Sequence, residues 1–445
     1  MKKTLLWMLL LSIFGIGCAD DNQPNEVTNE ALDRELRDAL EAAGGTASFI
    51  LPDSDDLEAI PQDPLNPLNR EKVQLGQFLF HETGLALNPK KEFSRGTYSC
   101  ASCHMAGSGF QPKLAQGIAD GGIGFGDQRV RGALYHGDDL DVQPVRTPSA
   151  LNGAFQKNML WNGQFGGTGA NIGTEDKWTD FPLNVNALGY EGLEVQAIAG
   201  LKVHRQVVDE TFFNENPIYV PLFDAAFPDV PADLRYTREF AGLAIAAYER
   251  TVMANRAPFQ EWLRGRASAM TDAEKEGAIL FFTKANCSGC HTGPALNDEQ
   301  FHAIGMGDLD QCPEEIFQTN DQTPAHQGRA SFTGRDEDRF KFKTPQLYNL
   351  TDSPFYGHGA GFRSLREVVA YKNSGIAQNP RVSDDRLSEH FRPLNLTGAE
   401  IDALTEFLMY GLNDDNLLRY QPEALPTGNC FPNADPLSRS QMGCE

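Results

Sequence analysis

The sequence predicts a mainly α fold made of two similar lobes with long loops, and three observations predict it. The pattern C-x-x-C-H occurs twice, as Cys100-Ala101-Ser102-Cys103-His104 and Cys287-Ser288-Gly289-Cys290-His291. Each copy lies between helical runs: residues 73–80 before and 238–255 after the first, residues 271–282 before and 397–408 after the second. The composition, with Gly 42 and Pro 26, supplies turns and long ordered loops rather than strands. The 445 residues are 40% hydrophobic and 22% charged, enough for a sizeable core. A mean hydropathy of -0.40 leaves no room for a bundle of membrane helices. Lys+Arg 38 against Asp+Glu 61 gives a net charge of -23, which repels phosphate backbones and argues against nucleic acid as a partner.

At the N-terminus, Met1, Lys2 and Lys3 precede an apolar run from Leu5 to Ile16, the shape of a secretory signal. Gly15-Ile16-Gly17-Cys18 resembles a lipoprotein cleavage box, although Gly15 stands where such boxes usually carry Leu. Residues 1–17 are therefore expected to be removed, with Cys18 lipidated as the sole membrane contact. That places the protein in the periplasm or cell envelope. Residues 18–60 read as a polar tether and N-terminal extension.

Residues 61–258 form the expected first lobe, 259–425 the second and 426–445 a C-terminal tail, with a hinge near Asn255 to Arg266. In the first lobe, Phe240, Leu243, Ala247 and Tyr248 make a helical stripe. In the second, Thr271-Asp272-Ala273-Glu274 and Thr397-Gly398-Ala399-Glu400 are capping boxes. Export into an oxidising compartment favours a disulfide among Cys312, Cys430 and Cys444. Cys430 with Cys444 is the first expectation of three pairings.

In an exported protein the C-x-x-C-H pattern reads as c-type haem attachment: two thiols form thioethers and the histidine ligates the iron. One such motif is expected by chance on the order of 0.003 times at this composition, so two are not accidental. A redox dithiol or half a zinc site would not explain the adjoining histidine in both copies. Two covalently bound haem c groups are the predicted cofactors, held by Cys100, Cys103 and His104 and by Cys287, Cys290 and His291.

From about Asn66 to Gly411 the sequence resembles the bacterial dihaem cytochrome c peroxidase family, which includes MauG. The resemblance rests on Leu75-Gly-Gln-Phe-Leu-Phe80, Arg146-Thr-Pro-Ser-Ala-Leu-Asn152, Leu160-Trp-Asn-Gly163 and Gly192-Leu-Glu-Val-Gln-Ala197. It continues in Cys290-His-Thr-Gly-Pro294, Phe342-Lys-Thr-Pro345 and Ser353-Pro-Phe-Tyr-Gly-His-Gly359. It implies two cytochrome c-like haem lobes, with peroxide reacting at the N-terminal haem and electrons entering at the C-terminal one. Trp161 then matches the tryptophan between the haems.

The resemblance also implies distal ligands. His136 lies near the place of a displaceable histidine of the first haem. For the second, residues 365–375 hold no methionine, and Tyr371 falls within one residue of the expected place, with Lys372 in strict register. Counting from Gln196, which would orient peroxide, the family's catalytic glutamate falls on Gln206. Glutamine cannot shuttle a proton, so His204 becomes the expected acid/base, with Glu191 and Glu194 behind it. The family's interlobe calcium is left open: Arg146 stands at the ligating position and cannot ligate a cation, while carbonyls near Asp352 to Pro354 remain.

The resulting expectation is an exported peroxidase that reduces hydrogen peroxide with electrons from a small cytochrome c or cupredoxin. A MauG-like oxidase of a protein or small-molecule substrate is the second reading, and a dihaem electron carrier the third. A homodimer is expected by analogy.

Overall fold

The computed structural model describes residues 29–444; the expected signal segment and Cys18 lie outside them. Among these residues no helix is long and apolar enough to cross a membrane. The architecture is mainly α with long loops. Its only sheets among the described residues are two short antiparallel ribbons. One pairs β1 (Gly122–Ile123) with β2 (Val130–Arg131), the other β3 (Phe301–His302) with β4 (Phe342–Lys343).

The helices that position the site are α1 (Glu30–Ala42), α2 (Arg70–His81), α3 (Gly192–Val203), α4 (Arg238–Thr251) and α5 (Pro258–Leu263). They continue with α6 (Asp272–Phe282), α7 (Leu365–Ser374), α8 (Gly398–Glu406) and α9 (Pro436–Met442). Their starts follow capping chemistry. Asn69 accepts from the Lys72 backbone, and Thr271–Glu274, Ser364–Glu367 and Thr397–Glu400 form reciprocal capping boxes.

Two helix crossings use one device. In the first half α2 crosses α4 at Gly76, where an added Cβ would lie 1.8 Å from the Ala244 carbonyl oxygen and 2.9 Å from Tyr248 Cβ. In the second, α6 crosses α8 at Gly277, with 2.0 Å to the Ala403 oxygen and 2.8 Å to Phe407 Cβ. A glycine lets two backbones touch, and an aromatic ring one turn further on covers the contact.

The duplication extends through the loops. Arg146-Thr-Pro-x-x-x-Asn152 and Lys343-Thr-Pro-x-x-x-Asn349 both end on an asparagine in the left-handed region, at φ 58 and φ 54. Asn152 accepts on its side chain from Ala254 N–H at 3.0 Å, and Asn349 does so from Asp414 N–H at 3.2 Å. Further on, α3 and α7 each carry Glu-Val at their third and fourth positions, Glu194-Val195 and Glu367-Val368.

Segments outside this repeat dock onto it. Asp33 of α1 pairs with Lys275 of α6 at 2.8 Å and accepts from Trp262 Nε1 at 2.6 Å. The expected hinge, Asn255 to Arg266, is instead occupied by α5: Pro258 opens the helix, and Phe259 and Trp262 are buried in a core common to both halves. The C-terminal tail turns back to the first C-x-x-C-H. There the hydroxyls of Ser99 and Ser102 donate to the Pro432 carbonyl at 2.9 and 3.0 Å. Cys430 and Cys444 form the disulfide, leaving Cys312 as a free thiol.

Candidate haem sites

Each C-x-x-C-H forms a tight turn, and no disulfide joins the two cysteines of either motif. Burial pushes the thiols of Cys100, Cys103 and Cys287 up to about 12. A redox dithiol needs the opposite shift, so the structure argues against that alternative. Both histidines are oriented in the same way. His104 Nδ1–H donates to the Phe110 carbonyl at 3.1 Å and His291 Nδ1–H to the Leu296 carbonyl at 3.0 Å. Phe110 and Leu296 both occupy the left-handed region, at φ 53 and φ 51, so each acceptor sits on strained backbone. Burial pushes both imidazoles down to about 4. A neutral ring with Nδ1 tied back presents Nε2 as a ligand, so both motifs fit a haem iron.

The second motif opens on a cavity of about 460 Å³, within the range of prosthetic-group pockets. Cys287, Cys290 and His291 line it, and Arg146 and Trp161 from the first half complete its wall. Trp161 Nε1–H donates to the Arg146 carbonyl at 2.8 Å, and Leu160 before it holds φ 73. Its indole meets His358 edge-on at 6.2 Å, and His358 stacks on Phe342 at 3.6 Å. His358 Nε2–H donates to Asp308 at 3.1 Å, which fixes that ring.

Tyr371 does not reach this cavity. Its hydroxyl donates to the Ile304 carbonyl, and its ring packs on Phe362 and Phe391. The helix explains why: Leu365, Val368, Val369 and Lys372 recur at helical spacing and line the cavity, and Tyr371 lies off that stripe. Burial pushes the Lys372 ammonium down.

Around the first motif, Phe80 lies 6.3 Å from the His104 ring and Gln206 Oε1 lies 3.5 Å from Cys100 Sγ. His204, at the end of α3, donates from Nδ1 to Asp141 at 3.0 Å. Burial opposes the charged ring, but the charge and hydrogen bond of Asp141 outweigh it and hold the imidazolium above its usual range. Gln196 Oε1 is buried without a partner. Between the two on the same helix, Gly200 leaves open space, since an added Cβ would meet only His204 Cδ2 at 3.9 Å.

His136 is not gathered into this site. It is exposed at the start of the turn Gly137–Asp139, and Asp139 is tied to Lys91 at 3.2 Å. A polar, ion-paired loop has no apolar face to draw the imidazole inward. Glu194 is also committed: Arg250 takes both of its oxygens, at 2.8 and 2.7 Å, and reaches Glu191 at 3.1 Å. The sequence reading missed Glu249 of α4. Burial, with the charge of Glu194, pushes its carboxyl up to about 8, within electrostatic reach of Cys100. An acid inside an apolar helix was its only sequence signal.

At the lobe contact the buried Arg146 guanidinium donates to Gln111 at 2.8 Å and to Ser353 at 2.7 Å. Burial pushes it down to about 10. A fixed cation thus stands where the resemblance places a calcium-binding side chain.

Comparison with known proteins agrees with this architecture. The profile of the family described as Di-haem cytochrome c peroxidase matches residues 70–268. Cytochrome-c peroxidase IdrP1 of Denitromonas iodatirespirans is 27% identical over 390 residues, covering 83% of this chain and 88% of that protein. Methylamine utilization protein MauG of Methylorubrum extorquens is 28% identical over 352 residues, covering 79% and 81%. Among solved structures, a MauG-like protein associated with microbial copper homeostasis superposes with a TM-score of 0.54 at 23% identity, over 87% of this chain and 97% of that one.

Proposed function

The protein belongs to the di-haem cytochrome c peroxidase/MauG family, and from that premise we propose that it is an exported peroxidase drawing electrons from a small cytochrome c or cupredoxin. It is a cytochrome c peroxidase-type oxidoreductase acting on peroxide, and its family implies two haem c groups. Cys100, Cys103 and His104 would hold one covalently, and Cys287, Cys290 and His291 the other. When bound, these groups supply an iron centre for peroxide and storage for the two electrons that its reduction to water consumes. Cys18 would carry the lipid that keeps the enzyme at the cell envelope.

The observation that carries this reading is the pairing of two oriented histidines, Nδ1 of each tied to a carbonyl, with a polar group of α3 near only one of them. At the first site, His204 keeps Nδ1–H on Asp141 and leaves Nε2 to take a proton from the inner peroxide oxygen and return it to the outer one. The unpartnered Gln196 Oε1 accepts a hydrogen bond from the incoming peroxide. Trp161 conducts electrons between the sites. Stopped-flow mixing with peroxide and a reduced donor cytochrome tests the reading, and repeated donor oxidation is expected. A long-lived oxidised spectrum with little donor turnover would replace it with MauG-like substrate oxidation, and no reaction would leave an electron carrier.

The residues do not fit calcium between the lobes, because the Arg146 guanidinium already supplies the positive charge there. A calcium chelator is expected to leave thermal stability unchanged. Arg146→Ala should cost about 1.5–3 kcal/mol, read from denaturant unfolding, by stranding Gln111.

A further inference from the structure

Several basic side chains on the wall of the 460 Å³ cavity are engaged elsewhere. Lys284 is held by Glu400 at 2.7 Å, and Lys343 donates to Gln156 and to the Asn158 carbonyl. His302 donates to Asp298 at 3.3 Å and His358 to Asp308 at 3.1 Å; His326 sits 3.6 Å from Asp310 with neither ring nitrogen hydrogen-bonded, and His390 lies 4.0 Å from Glu389. Lys372 differs. Among the described residues its amine makes neither a hydrogen bond nor an ion pair, and it stands 5.9 Å from the centre of the Phe391 ring. It shares the cavity with Cys287, Cys290 and His291.

The internal duplication supplies an independent comparison. The helix caps Glu191 and Ser364 and the shared Glu-Val align α3 with α7, so Lys372, the eighth residue of α7, corresponds to Ala199 of α3. Ala199 is fully buried and Gly200 follows it, so no ligating side chain stands there in the first half. The same helix therefore presents methyl and hydrogen in one half and a long amine in the other.

We propose that Lys372 is the axial ligand opposite His291 at the C-terminal haem, giving that iron two nitrogen ligands and closing it to peroxide. Ligation gives the Nζ lone pair to the iron, and the proton of the ammonium leaves to solvent; no electron is transferred. The inference rests on the two-haem reading above, and the test separates the two. The full-length holoprotein is assayed for haem content, and its ferric spectra are recorded by electron paramagnetic resonance and near-infrared magnetic circular dichroism. Two haems per molecule are expected, one of them low-spin with two nitrogen ligands. Lys372→Ala should lose that low-spin signal, whereas Lys372→Met should convert it to a nitrogen–sulfur signature with a raised potential. Met306→Leu and Tyr371→Phe should keep the wild-type spectrum, although Met306 also lines the cavity. A low-spin signal that survives Lys372→Ala, or a wild-type nitrogen–sulfur signature lost in Met306→Leu, overturns the assignment with two haems still present. Fewer than two haems per molecule overturns the underlying reading as well.

Discussion

Replacing His204 with alanine is expected to lower kcat/KM for hydrogen peroxide by about 10²–10⁴-fold, the range over which a positioned acid/base acts. Haem content and the His104 coordination should stay as in the wild type, because His204 contacts Asp141 rather than either attachment motif. The pH profile gives a second readout. His204 must be neutral to accept the first proton, and Asp141 holds its pKa above the ordinary value of about 6.5. The rate should therefore rise with pH through that elevated value. Asp141→Asn removes the opposing charge and should move the rising limb to lower pH. The ion pair also has a stability consequence of defined sign. Its contribution is fully present below the unfolded-state value and is lost as pH rises through the folded one. Two carboxyls serve as comparators. If Glu194→Gln or Glu249→Gln abolishes turnover while His204→Ala does not, the proton passes through α3 or α4 instead. For Glu194 that would require release from the two-point grip of Arg250.

The parts of the site legible in the sequence are those whose chemistry is contiguous. Haem attachment needs two thiols and an imidazole within five residues, so the motif survives without any knowledge of the fold. The helix crossings are nearly as legible, because an apolar stripe at helical spacing and a capping box are local signals. The axial position is harder to read. Counting by resemblance puts Lys372 in strict register with Tyr371 one residue away, and of the two only Lys372 joins Leu365, Val368 and Val369 in one helical stripe. The two Thr-Pro-x-x-x-Asn segments are also readable as a repeat, and with them the correspondence between α3 and α7 follows. Other features depend on long-range packing that no local pattern encodes. The docking of α1 on α6, the return of the tail to Ser99 and Ser102, and the commitment of Glu194 to Arg250 join residues tens to hundreds of positions apart.

The duplication also bears on how two similar halves diverge in role. Both hold their histidines through a carbonyl on left-handed backbone, and both build their crossing on a glycine. What differs is the helix facing the histidine. One carries Gln196, Ala199, Gly200 and His204, which leave room beside two polar side chains. Its counterpart carries Val368, Val369 and Lys372, which fill the space with apolar atoms and one amine.

Trp161→Phe is expected to slow donor-supported turnover by tenfold or more, about 1.4 kcal/mol of barrier, while peroxide binding is unchanged. The indole is held from three directions. Its N–H donates to the Arg146 carbonyl, its own carbonyl accepts from Lys343 N–H at 2.7 Å, and Leu160 before it is held at φ 73. Its edge meets His358, which is stacked on Phe342 in the wall of the second cavity. Arg146, whose carbonyl anchors the indole, reaches Gln111 of the first half and Ser353 of the second with its side chain. On the proposed electron path a tryptophan fixed in this way would be a rigid relay, and phenylalanine keeps a ring there while losing the hydrogen bond and the more easily oxidised indole. The lost hydrogen bond should cost about 0.5–1.5 kcal/mol of stability, so unfolding measurements separate a structural defect from a conduction defect. A variant that loses this stability but oxidises donor at the wild-type rate would show that electrons bypass Trp161, and His358→Ala would then be the informative second substitution.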